Sequence, residues 1–303
     1  MRMTLYFSGL AALFVLVAAS APAHAQPPVP LLWKVSDADN SVYLLGSFHL
    51  LKKDDYPLSK DVDAAFADAE ALMFELSPDV ANSPALPQQM AQAARRTRPG
   101  TLEQDLGSKL WARLQAYAAA NQLPLAQMSA FDPWFLGLSV GLIEMGKQGL
   151  DPALGLDRHF MEAAARTGKP AKGLEGADEQ IAVLAGMSLD EQRQLLAEAL
   201  EQADEGQDKY RDLHAAWRAG DAERMWKEMA AEMKRDYPAL YRRINVQRND
   251  AWLPKLEQRL AQKDDDTLVV VGALHLLGED GVVEKLRAKG YKVERICSAC
   301  APR

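Results

Sequence analysis

The sequence predicts an α+β fold of α/β character, in which two small, pseudo-symmetric β-α-β half-sheets form one mixed central sheet covered by a large helical insertion. Three observations predict it. Nearly the same phrase occurs twice, Ser41-Val-Tyr-Leu-Leu-Gly46-Ser-Phe-His49 near the start and Thr267-Leu-Val-Val-Val-Gly272-Ala-Leu-His275 near the end. Each copy is a short apolar run, as in a strand covered on both faces, that breaks into Gly-x-x-His. Between the copies, from about residue 85 to about residue 262, strong helix formers dominate and β-branched runs are few.

Residues 1–25 have the pattern of a secretory signal peptide: a positive start at Met1-Arg2, an apolar core from about Leu5 to Ala19, and the small-x-small site Ala23-His24-Ala25. Cleavage after Ala25 would leave residues 26–303 as one exported domain, periplasmic or secreted. The apolar core is shorter than the roughly 18 to 20 residues a spanning helix needs, and no later segment is apolar enough for stable membrane insertion. Gln26-Pro-Pro-Val-Pro30 reads as an extended spacer, followed by strands near 31–35 and 42–46. Gly46, like Gly272 later, is read as the residue that permits a tight turn out of its strand. Val62 to Ala69 has helical period and leads into the strand Ala71-Leu-Met-Phe-Glu75-Leu, which Pro78 stops.

Pro84 and Pro87 read as a chain break, after which helices are expected near 107–121, 131–147, 157–167, 177–186, 189–203, 208–219, 221–235 and 238–261. Ser188-Leu-Asp-Glu191 matches a capping box, and Gly220-Asp221 reads as a helix stop followed by an N-cap. Lys169 to Glu175 is a short strand candidate that ends in a carboxylate. The chain closes with the second Gly-x-x-His strand, a helix from about Gly281 to Lys289 and a strand from Tyr291 to Cys297, which mirrors the opening unit.

The formal charge is −7, and phosphate binding needs a basic face, so nucleic acid is excluded as a partner. The one dense basic run, Arg95-Arg96-Thr97-Arg98, reads as a solvated helix end. Cys297 and Cys300 are the only cysteines, and in an oxidising compartment they are expected to bond to each other. A redox-active pair needs a following helix, for which the tail has no room. Gly137-Leu-Ser139-Val-Gly141 fits the G-x-S-x-G nucleophile pattern, but it lies inside an apolar helical run and lacks the required strand before the serine.

In open α/β sheets, ligands bind beyond the carboxyl ends of the strands. His49 and His275 are expected there, with Glu75 at the end of a third strand. Two imidazoles and one carboxylate are the ligand set of catalytic zinc hydrolases and of non-haem iron oxygenases. The competing reading makes the histidines satisfied core residues.

These residues resemble the TraB/PrgY/GumN family, to which the Tiki proteases of animals belong. Trp33-Lys-Val with Val42 to His49 and Phe74-Glu75-Leu is similar to its first block. Gly155-Leu-Asp157-Arg-His159-Phe with Gly173-Leu-Glu175-Gly is similar to the middle block of the GumN branch, and Arg248-Asn249-Asp-Ala-Trp252 with Val271 to His275 to the closing blocks. The resemblance implies a metal-dependent, peptidase-like hydrolase acting on a peptide or protein, with Mn, Co or Zn as the divalent metal. His49, His275 and Glu75 would bind the metal, with Glu75 alternatively the base. Arg248 and Asn249 would be catalytic, the first stabilising charge and the second orienting its partners. Asp157, His159 and Glu175 would support the ligands or the substrate, with simple capping or packing the alternative for His159. Leu76-Ser77 departs from the Glu-Leu-Asp of many members. The alternative is a periplasmic binding or regulatory protein on the same ChaN-like scaffold, holding a metal, haem or peptide without turnover. An iron oxygenase is a weaker third class, because those enzymes usually sit in β-barrels.

Overall fold

The computed structural model describes residues 26–204, 207–263 and 265–300; the signal peptide read at residues 1–25 lies outside them. Six strands form one mixed sheet: β1 (Leu32–Ser36), β2 (Ser41–Ser47), β3 (Ala71–Leu76), β4 (Ala171–Glu175), β5 (Thr267–Gly272) and β6 (Lys292–Arg295), in the order β4-β3-β5-β2-β1-β6. Strands β4, β3, β5 and β2 are parallel to one another, whereas β1 is antiparallel to both β2 and β6. The two repeated phrases are direct neighbours, paired from Val42 opposite Thr267 to Ser47 opposite Gly272. Every residue of both strands is buried, as an unbroken apolar run in a sheet covered on both faces requires. The two expected halves are interleaved rather than side by side: β5 inserts between β2 and β3, and β6 adds beyond β1.

The helices are α1 (Lys60–Asp68), α2 (Pro78–Ala81), α3 (Ala85–Ala93), α4 (Leu102–Ala120), α5 (Leu125–Met128), α6 (Pro133–Lys147), α7 (Leu156–Thr167), α8 (Ala177–Ala185), α9 (Leu189–Asp204), α10 (Gln207–Arg218), α11 (Ala222–Trp226), α12 (Glu232–Asp236), α13 (Pro238–Tyr241), α14 (Gln247–Leu260) and α15 (Val282–Ala288). Connections that move toward the β4 edge carry α1 and α7; those that move toward the β6 edge carry α14 and α15. Right-handed crossovers in opposite directions cover opposite faces. Phe66 of α1 accordingly packs on Phe160 of α7, with ring centroids 5.5 Å apart, while α14 packs on α15. The two directions part between β2 and β5. Their carboxyl ends are therefore the topological switch point at which such sheets bind ligands.

The expected helix signals at Ser188 and Asp221 act as caps: Glu191 N–H donates to Ser188 Oγ at 3.3 Å, and Arg224 N–H donates to Asp221 Oδ1 at 3.0 Å. The expected break at Pro84 and Pro87 is instead the start of α3, because a proline in the first turn removes an N–H that has no intrahelical partner anyway. The expected long helices 221–235 and 238–261 are each interrupted by a π-helical segment, Lys227–Ala231 and Arg242–Val246. Ser139 lies in α6, where its hydroxyl donates to Phe135 O at 2.7 Å, and a Cβ on Gly137 would meet the backbone of Leu195 in α9 at 3.2 Å. The G-x-S-x-G pattern thus serves close helix packing. A disulfide joins Cys297 to Cys300.

Candidate active site

His49 follows β2, and His275 sits in the 3-10 turn Ala273–Leu276 directly after β5. Backbone pairing between β3 and β5 stops at Phe74 and Val270. Beyond that point the Glu75 carboxylate takes over the ladder, accepting the Gly272 N–H through Oε1 at 2.9 Å. The same Oε1 lies 3.8 Å from His49 Nε2 and 3.9 Å from His275 Nε2.

The far nitrogen of each imidazole is fixed. His49 Nδ1 bonds Asp157 Oδ2 at 2.7 Å, and Ser47 Oγ donates to the same oxygen at 2.6 Å. His275 Nδ1 donates to Asn249 Oδ1 at 2.7 Å, while Asn249 Nδ2 donates to Asp280 O at 2.9 Å and so sets the amide's orientation. Both Nε2 atoms are thereby turned toward Glu75. An oxygen acceptor behind each histidine is the arrangement that orients metal-binding imidazoles.

The two rings differ electrically. Asp157 pulls the pKa of His49 up to about 9, although its side chain is 55% exposed and solvent screens that pull. Burial pushes His275 down to about 3, so it is a neutral imidazole. Glu75 is also buried, which raises its pKa, but Arg248 above all, with His49 and the Gly272 N–H, outweighs that and holds it well below the usual carboxylate range. Histidines pushed apart in this way can act as an acid and base pair; as two ligands they would serve only after His49 loses its proton.

Arg248 spans the site. Its Nε and Nη2 donate to the two Glu175 oxygens at 3.0 and 2.6 Å, Nη2 also donates to Glu75 Oε2 at 2.5 Å, and Nη1 lies 3.0 Å from His275 Nε2. Trp252, one turn along α14, supports this group: its ring lies 4.4 Å from His275 and 4.8 Å below the guanidinium, and its Nε1 donates to Glu175 Oε2 at 3.2 Å. Sequence reading assigned no role to Trp252 or Ser47. The i, i+4 spacing from Arg248 to Trp252 was the available signal.

Two donors each about 2.1 Å from a shared ion lie at most about 4.2 Å apart, so Glu75 Oε1 is within such reach of either Nε2. Among the described residues, however, no three His, Cys, Asp or Glu donors are drawn in to form a metal cluster. Arg248 engages His275 Nε2 and must leave it before an ion can take that lone pair. The donor types fit a divalent cation on that condition and once His49 has given up its proton.

Two expectations need correction. His159 does not reach the site; it packs on Tyr56 and Phe160 with centroids 4.9 and 5.0 Å away. Asp157 and His159 are two residues apart on α7, roughly 200° around the helix, and cannot face the same point. Gly46 and Gly272 are not needed for an unusual turn, since neither has a positive φ. Gly272 is needed for space: a Cβ there would meet His49 Nε2 at 2.9 Å and Glu75 Oε1 at 3.2 Å.

Fold and site define a class: a helix-covered mixed sheet with two strand-end histidines and strand-end carboxylates gathered at its switch point. The chain belongs to the TraB/PrgY/gumN family, whose sequence profile matches residues 31–295, a span that includes both Gly-x-x-His motifs. Two curated relatives, the uncharacterized protein YbaP of Escherichia coli (strain K12) and that of Shigella flexneri, are each 27% identical over 252 residues, covering 81% of this chain and 87% of theirs. No solved structure matches the chain.

Proposed function

We propose that this protein is an exported metal-dependent hydrolase, a peptidase in class, that binds a divalent cation (Mn, Co or Zn) through His49, His275 and Glu75. The observation that carries the reading is the approach of both Nε2 atoms to one Glu75 oxygen, at 3.8 and 3.9 Å. A bound cation supplies Lewis acidity and makes hydroxide available near neutral pH. Asp157 and Asn249 keep each Nδ1–H occupied, so that both Nε2 atoms face inward, and His49 would give up its Nε2 proton to a bound cation. Arg248, once released from His275, stabilises negative charge on the attacked carbonyl oxygen while Glu175 holds its other edge. A donor of this kind is typically worth about a hundredfold to a thousandfold in rate. Glu75 is the alternative base.

Export is part of the proposal and rests on the pattern of residues 1–25; no helix among the described residues is long and apolar enough to cross a membrane. The guanidinium on His275 favours a second reading, in which the same scaffold binds a peptide, metal or haem and does not turn over. Elemental analysis of the mature protein, followed by peptide-library cleavage with Mn, Co or Zn and with chelator, separates the two. Chelator-sensitive cleavage supports the hydrolase, and binding without cleavage under every metal supports the scaffold.

A further inference from the structure

Above the strand ends lies a cavity of about 290 Å³ with His49, Arg248 and His275 in its floor. Its walls come from separate parts of the helical insertion: Leu138 and Met145 of α6, Leu184 of α8, Leu213 of α10, and Met229 and Ile244 of the two π-helical segments. No charged side chain lines it except those of the floor. The large hydrophobic residues exposed among the described residues are Leu138, at 40%, and Leu142, at 52%. Both lie on one face of α6, one turn apart. A single exposed leucine means little, but here the exposed pair lies beside an apolar wall that ends at the candidate catalytic groups.

Resting on the hydrolase reading, we propose that this cavity is a specificity pocket for one apolar side chain of a peptide, of the size of Leu, Ile, Met or Phe, on the residue beside the attacked bond. Charge favours a peptide over a fatty acyl chain. Three carboxylates, Glu75, Asp157 and Glu175, lie behind the floor, and Arg248 already pairs with two of them. The cations in the floor, Arg248 and His49, are already held by these carboxylates, so a terminal carboxylate would find none free to pair with it, whereas a neutral amide needs none. A polar side chain among the walls would lose its water without gaining a partner.

The test uses the mature full chain and fluorescent blocked pentapeptides with central Leu, Phe, Ser or Asp, read by anisotropy in chelator and by cleavage with Mn. Leu and Phe peptides are expected to bind about tenfold to a hundredfold more tightly than Ser and Asp peptides, the gain for burying one such side chain. Leu138→Glu, and the milder Leu138→Ser, should reduce that preference at least several-fold without changing the circular dichroism spectrum. No binding of the Leu peptide, equal affinity for Leu and Asp peptides, or displacement of the Leu peptide by more tightly held dodecanoate overturns the pocket. Selective binding without cleavage under any metal leaves the pocket and removes the hydrolase; cleavage with no apolar preference does the reverse.

Discussion

Arg248→Met is the most informative single change, because it removes the one group that touches two buried carboxylates and a buried imidazole together. The side chains of Arg248, Glu75 and Glu175 are 13%, 12% and 6% exposed. Methionine keeps much of the apolar stem but leaves Glu175 with no cation and Glu75 with only His49, 3.8 Å away. Removing one partner of a buried pair costs about 3–5 kcal/mol. At about 2–4 °C per kcal/mol for a domain near this size, Tm in chelator should fall by about 6–20 °C. Glu175→Gln added to Arg248→Met should recover part of the loss, since one unpaired charge disappears and changes at touching residues do not add. Excess Mn should raise Tm further in the variant than in the wild type, because the cation replaces the lost charge and finds His275 Nε2 free. Scanning calorimetry with chelator and with Mn reads all three. A fall of less than about 3 °C, on the order of 1 kcal/mol on the same scale, or equal Mn-induced shifts in the two proteins, would mean that Arg248 is not what offsets the buried carboxylates.

Acid sensitivity should have a component from Asp55, which is fully buried and bonded by His214, the Lys52 N–H and Arg218. Burial alone would raise its pKa, but those partners outweigh it and hold it below the ordinary value. Its contribution is therefore complete above the unfolded pKa of about 4 and is lost as pH falls through the lower folded value. Urea titrations of Asp55→Asn between neutral pH and pH 3 should show a shallower decline than wild type, and parallel curves would contradict this. Gly272→Ala should weaken Mn binding by about tenfold to a hundredfold, the usual effect of disturbing the surroundings of metal ligands; calorimetric titration giving unchanged affinity would refute it. Replacing Cys297 and Cys300 with Ser should lower Tm by less than about 5 °C, roughly 2 kcal/mol, because the loop closed is very short.

Strands β2 and β5 were legible because their burial on both faces demands an unbroken apolar run, and that demand is local. Their adjacency was legible only as an expectation from the repeated phrase. The interleaving of β5 and β6 into the first half of the sheet was not, since pairing is decided by contacts across more than 200 residues. Glu75 and Glu175 were readable as strand-end carboxylates, whereas their shared grip on Arg248 depends on how α14 crosses the sheet. His159 shares a sequence block with Asp157, but two residues along a helix turn it away from the point that Asp157 faces. The turn expected of Gly272 is not what requires a glycine there: His49 and Glu75, brought up by other strands, leave no room for a side chain. His214 and Asp55, separated by 159 residues, carried no local signal for their pairing.

The central claim is that the two strand-end histidines share one divalent ion. Elemental analysis and calorimetric titration of the mature protein with Mn, Co and Zn, beside His49→Ala and His275→Ala, test it most directly. The wild-type chain should hold a single ion, each variant should lose it with the circular dichroism spectrum retained, and the double variant should hardly differ from either single one, as expected of residues that act as a unit. Wild-type protein that takes up none of the three metals, or single variants that bind them as tightly as wild type, would contradict it.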